Sequence, residues 1–205
     1  MNAQRTWAIL ETMVVATAVL STGGRVAAQS TAAHEPASSV SKGEVVPGAD
    51  PPAELFGQSG VYSYGPDPGQ APLIEAAVNH AVAHMFPLIR GIARHRLMST
   101  NKLPDTLRLI IEPDTLGTQT DRDKPMNLPR SGVTIRWDDG SGDICRARDS
   151  VAADTLFQFC SVGKATSVAR YVVADGARRL RMIIHLTAPH LSGPVDYAID
   201  FRRLE

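Results

Sequence analysis

Residues 168–203 read VARYVVADGARRLRMIIHLTAPHLSGPVDYAIDFRR, and this stretch decides the fold. In its last third, Val195, Tyr197, Ile199 and Phe201 alternate with Asp196, Ala198, Asp200 and Arg202. Before it, Leu180, Met182, Ile184 and Leu186 recur every second residue. A period of two places successive side chains on opposite faces of a strand, one apolar and one polar. Asp175-Gly176 is a hairpin turn signal. A two-residue loop there sets Tyr171 opposite Leu180 and Ala169 opposite Met182, so that apolar meets apolar.

The same period extends back to Thr106. Leu107, Leu109 and Ile111 lead to a Glu112-Pro113-Asp114-Thr115 turn. Val133, Ile135 and Trp137 alternate up to Asp139-Gly140, and 144–148 and 156–160 are two further short runs. No helical segment separates these strands, which excludes a βαβ architecture. The expectation is a mainly β fold: an antiparallel meander of about eight strands closing into a barrel, which removes exposed edges. The inward face comprises Leu107, Leu109, Val133, Ile135 and eight further residues: Trp137, Tyr171, Leu180, Met182, Ile184, Tyr197, Ile199 and Phe201. Those eight are the candidate ligand-binding residues, because a small barrel either fills its interior or holds one small molecule.

Ahead of the strands lies one helical pattern, 72–97. Ile74, Val78, Ala81, Met85, Leu88 and Ile92 form its apolar stripe, and Arg90 and Arg94 lie opposite. Pro72 suits a first turn, whereas Pro87 predicts a kink or break near Met85-Phe86. Residues 29–70 are rich in Pro, Ser and Gly and read as a tether. Leu55-Phe56 and Val61-Tyr62-Ser63-Tyr64 are the exceptions, able to dock on the domain or add an edge segment. Residues 1–28 read as a signal peptide: Arg5, an apolar run from Trp7 to Leu20 interrupted by Glu11, and Val26-Ala27-Ala28 before Gln29. Cleavage near Ala28 would export the chain, with 71–205 as its helix-plus-barrel domain.

Export makes a disulfide the expected state of the two cysteines. If the chain turns between Ala152 and Ala153, Cys145 and Cys160 stand directly opposite, within bridging range. Such a bridge would contribute about 3 kcal/mol.

The leader, the helix ending in Arg90-Gly91-Ile92-Ala93-Arg94-His95-Arg96-Leu97, the Asp-Gly hairpins and the final strand Pro194–Arg203 resemble, in layout, exported bacterial lipocalin-like barrels of unassigned function. The likeness spans 72–205. It lacks a Gly-x-Trp on the first strand: Trp137 has no Gly two residues before it. It implies carriage of a ligand without naming one.

Other chemistry is sparse. His80 and His84 have the i,i+4 spacing of paired metal ligands, but position 81 is Ala, so the HExxH pattern fails. The loop from Asp138 to Asp143 carries three acids but no downstream Glu of an EF-hand. His185 and Asp196, with Arg181 and Asp200, read as opposite charges on a solvated sheet face, and no GxSxG elbow or dinucleotide fingerprint is present. No metal, cofactor or catalytic residue is therefore expected. With 21 basic and 21 acidic residues the net charge is zero, which argues against nucleic-acid binding. No apolar run is long enough to span a membrane. The leading expectation is an exported, non-catalytic carrier of a small apolar ligand. The alternatives are an envelope module reaching a protein partner through 29–70, and a metal-dependent enzyme built on His80 and His84.

Overall fold

The computed structural model describes residues 55–138 and 144–205. After a short turn at Leu55–Gly57, the strands are β1 Gly60–Pro66, β2 Leu107–Ile111, β3 Thr115–Thr120, β4 Met126–Pro129, β5 Ile135–Asp138, β6 Ile144–Ala152, β7 Thr155–Val162, β8 Ala165–Ala174, β9 Arg179–Thr187 and β10 Val195–Arg203. Two helices, α1 Ala71–Ala81 and α2 Pro87–Thr100, stand between β1 and β2. All ten strands join one antiparallel sheet in the order β4-β3-β2-β1-β10-β9-β8-β7-β6-β5. Chain order is kept around the whole ring except for the β1–β10 pairing, so the sheet is an up-and-down barrel nearly closed on itself. Its two ends, β4 and β5, do not pair. Side chains fill that seam: Leu128 of β4 packs with Cys145 and Ala147 of β6.

The alternation that specifies this barrel is visible strand by strand. Leu107, Leu109 and Ile111 are buried, with Arg108 exposed between them. Leu180 and Met182 are buried while Arg179, Arg181 and His185 face solvent. Tyr64, Leu107, Leu109, Leu180, Ile199 and Phe201 are at or near zero exposure in one continuous core. Burying each such side chain is worth ~1.5–3 kcal/mol.

Several expectations need correction. The strands number ten rather than about eight: β3 and β4 were not expected, and β1 was expected at most as an added edge segment. β1 lies inside the expected 29–70 tether. It is not an edge, since β2 pairs on one side and β10 on the other. Its Tyr62 and Tyr64 supply the apolar alternation, and the Tyr64 hydroxyl donates to the Ala177 carbonyl at 3.2 Å. The β1–β10 ladder covers only Tyr64–Pro66. Beyond it the Gln70 side-chain amide continues the pairing, donating to the Asp200 carbonyl at 2.7 Å and accepting from its N–H at 2.7 Å. Gln70 thus anchors the start of α1.

The single helix of the sequence reading is two helices, broken over 82–86. Pro87 occupies the first position of α2, where its missing N–H costs nothing. The break rotates α2, so Ala93 and Leu97 meet the core instead of Leu88 and Ile92, which are 73% and 39% exposed. Arg94 ties the helices together, donating to Glu75 at 2.6 Å and to Asn79 at 2.7 Å.

Cys145 and Cys160 are not disulfide-bonded. The β6–β7 turn is centred on Ala153-Asp154, not Ala152-Ala153, because Ala152 pairs with Thr155. Asp154 accepts the Thr155 hydroxyl at 3.0 Å, as a turn aspartate does. The two-residue slip puts Cys160 opposite Ala147, and Cys145 instead faces Trp137 on β5. The β8–β9 hairpin slips in the same way. Ala174 pairs with Arg179, the loop holds four residues, and Tyr171 faces Met182 rather than Leu180.

Candidate functional site

Following the inward face around the sheet gives rows of directly paired residues. One row runs Asp149, Gln158, Ala169, Ile184, Tyr197 from β6 to β10. The next runs Leu156, Tyr171, Met182, Ile199. Beside that lies Leu180 opposite Phe201. Seven of the eight expected ligand-binding residues therefore share one wall of the barrel: Tyr171, Leu180, Met182, Ile184, Tyr197, Ile199 and Phe201. Trp137 does not join them. It is half-buried on β5 in the seam cluster with Leu128, Cys145 and Cys160. Val133, expected inside, lies before β5 and is 57% exposed.

The wall carries a polar centre that the sequence reading did not single out. Asp149 has no exposed surface, yet neither of its carboxylate oxygens completes a hydrogen bond. Gln158, directly opposite and 7% exposed, has an Nε2 with no partner. Its Oε1 accepts from the Thr118 hydroxyl of β3 at 2.9 Å, across the interior, and from the Tyr171 hydroxyl at 3.5 Å. Burial pushes the Asp149 carboxyl up to about 7; the Gln158 amide, which faces it without completing a hydrogen bond, lowers it only in part, and no cation among the described residues acts on it. Burial likewise pushes the Tyr171 phenol up to about 12, and the charges of Asp149 and Asp123 add to the rise. At the far end of the row, burial raises the Tyr197 phenol further still, and its hydroxyl donates to Asn101 Oδ1 at 3.1 Å. Asn101 caps α2, so this bond fastens the helix to the barrel wall.

The signal for Asp149 and Gln158 was available. Counting by twos from Cys145 and Ala147 reaches Asp149, and Gln158 stands between Leu156 and Cys160. Both are polar residues on a face otherwise apolar. An ion pair or hydrogen bond normally accompanies a carboxyl buried this deeply. Access survives close by: Cys160, Ser167, Ile184 and Tyr197 face inward but remain half-buried, in the row of Asp149 and the row beside it.

The other chemistries find little support. Among the described residues no three His, Cys, Asp or Glu side chains converge as metal ligands. His80 and His84 are exposed, and the end of α1 at Ala81 leaves His84 outside the helix. Residues 139–143 of the acidic loop lie outside the described residues. His185 Nδ1 and Asp196 Oδ1 are 2.5 Å apart on the outer surface, and Arg181 lies 3.7 Å from Asp200, as a solvated face requires. Ser192 accepts the His84 amide at 3.2 Å rather than serving His185. No helix among the described residues is long and apolar enough to cross a membrane.

No family model and no curated protein matches the chain. Among solved structures it is similar to lipid binding protein 8 of Caenorhabditis elegans, at 10% identity over 74% of this chain and 98% of that one, with a TM-score of 0.45. It is similar to a secretory abundant heat soluble protein of Ramazzottius varieornatus, at 10% identity over 71% and 94%, TM-score 0.46. It is also similar to the Schistosoma mansoni fatty acid binding protein in complex with arachidonic acid, at 16% identity over 72% and 96%, TM-score 0.40.

Proposed function

We propose that the chain is an exported, non-catalytic carrier that holds one small, largely apolar molecule inside its barrel. The observation that carries this reading is the buried Asp149–Gln158 pair, whose two carboxylate oxygens and amide nitrogen face each other yet complete no hydrogen bond among the described residues. A ligand's polar end would satisfy them, and Tyr171, Met182, Ile184, Tyr197 and Ile199 would hold its apolar body. Contact area then supplies affinity, and the polar pair supplies orientation.

The pair also specifies the ligand's head. Gln158 Nε2 seeks an acceptor. A protonated Asp149 offers a donor and an acceptor, whereas an ionised one accepts only. A neutral hydroxyl or primary amide meets both residues. A carboxylate would face a like charge with no cation among the described residues to offset it. The export half of the proposal rests on the Val26-Ala27-Ala28 leader pattern.

Thermal shift with a matched series of alkyl alcohols, amides and carboxylates tests the binding half. The alcohols and amides should raise the midpoint, the carboxylates should not, and Asp149→Leu should abolish the difference. No shift from any member in the wild type, or an alcohol-over-carboxylate preference that persists in the variant, overturns the reading. Mass spectrometry of the secreted chain tests export: it should begin at Gln29.

A further inference from the structure

The outer face of β5–β8 carries an unbalanced charge pattern. Arg136 on β5 stands directly opposite Arg146 on β6, and both are exposed. Like charges directly opposite destabilise a strand pair. The described sheet has one other direct Arg–Arg opposition, Arg202 with Arg179, and that one is neutralised. Asp67 lies 2.5 Å from Arg202, and Asp175 lies 3.8 Å from Arg179. No ion pair reaches Arg136, Arg146 or Arg148 among the described residues.

Over this place runs an open groove of about 260 Å³, whose lining includes Arg146, Arg148, Phe159, Ser161 and Thr166. The Arg148 guanidinium stacks on Phe159, with Cζ 4.3 Å from the ring centroid. Stacking occupies the guanidinium's face and leaves its edge N–H donors for an acceptor in the groove. Ser161 lies directly opposite Arg146, between it and Thr166, and adds a hydroxyl to the same row.

We propose that this groove is an oxyanion site that takes the phosphate group of a phosphate ester. Arg146 and Arg148, which line the groove, supply the charge and guanidinium donors, Ser161 supplies a hydroxyl, Arg136 stands beside Arg146 outside the lining, and the Phe159 ring flanks the organic part of the ester. Phosphate suits it better than a single carboxylate. A phosphate ester carries up to two negative charges to set against the opposed arginines, and its oxygens match guanidinium forks. The groove is also larger than a bare ion. The ester comes either from a soluble metabolite or from an anionic lipid head, and the chemistry of the site is the same for both. The groove lies on the outer face and takes its ligand whatever the barrel interior holds.

Two arms separate the sources: calorimetric titration with glycerol 3-phosphate, and co-sedimentation with phosphatidylcholine vesicles with and without phosphatidylglycerol. Wild type should bind in at least one arm. Arg146→Gln and Arg148→Gln should each weaken that binding by about tenfold or more. Arg108→Gln, on the outer face of β2, should leave it unchanged. Circular dichroism and thermal midpoints of all variants establish that each is folded. Binding of glycerol 3-phosphate alone supports the site with a soluble ligand; binding to phosphatidylglycerol vesicles alone supports it with a lipid head. Binding in neither arm, or binding that all three variants retain or lose equally, overturns the proposal.

Discussion

Asp149 makes folding depend on pH in a direction opposite to that of most carboxyls. Its proton affinity rises on folding, from the ordinary carboxyl range near 4 to about 7, because burial disfavours the charge. A group raised in this way contributes stability that is fully present below the unfolded value. That stability is lost as pH climbs through the folded value, and above it the native state must hold a buried charge. At about 1.4 kcal/mol per pH unit, three units amount to roughly 4 kcal/mol as an upper bound. Asp149→Asn keeps the shape and cannot ionise. Denaturant unfolding at pH 5 and pH 8 should show wild type losing a few kcal/mol between the two, with the variant nearly flat. Parallel curves would mean that water reaches the carboxyl. The residue was legible by parity alone, since it shares a face with Cys145 and Ala147. Its isolation was not: whether a counter-charge meets it depends on which side chains the opposite wall presents, and Thr118 arrives there from a strand that carries little apolar alternation.

Between strands, the sequence fixes which face a residue takes more firmly than which neighbour it meets. Two expected hairpin registers are displaced by two residues, β6–β7 set by facing the cysteines and β8–β9 set by its Asp-Gly turn. An even slip leaves every side chain on its own face, so the expected core survives. The cross-strand partner does not, and the Cys145–Cys160 bridge was lost with it. The β9–β10 register was legible because charge as well as apolarity aligns it: His185 meets Asp196 and Arg181 meets Asp200. The helical segment shows the same division. Pro87 marked the break correctly, but the rotation that follows was invisible, since it depends on α2 docking through Asn101 and Tyr197. Tyr197→Phe should therefore test the element's anchorage. Loss of the bond leaves Asn101 Oδ1 buried without a donor, at a cost of about 1–3 kcal/mol. Hydrogen exchange should quicken in α2 more than in β6–β8; uniform acceleration would show that the bond stabilises the barrel rather than the helix.

Closure of the molecule rests on its least strand-like sequence. β1, GVYSYGP, has two glycines and a proline, and only Tyr62 and Tyr64 mark the alternation. Local propensity therefore argues for a loop. Pairing on both sides overrides it, because β1 joins the β2–β4 end of the sheet to the β10–β5 end. Without it each part would expose an edge, and Tyr64, fully buried, would lose its surroundings. Such closure brings residues more than a hundred positions apart into register, a cost in loop entropy that local patterns do not reveal. The sheet therefore takes in Gly60–Pro66, ahead of residue 71. A chain beginning at Leu55 should unfold in one cooperative transition, at a midpoint close to that of the full chain. A chain beginning at Gln70 keeps both helices and nine strands, yet it should fail to give a cooperative transition and should associate through the freed edges of β2 and β10. If that shorter chain melts cooperatively as a monomer, β1 is dispensable and the barrel is held by its walls alone.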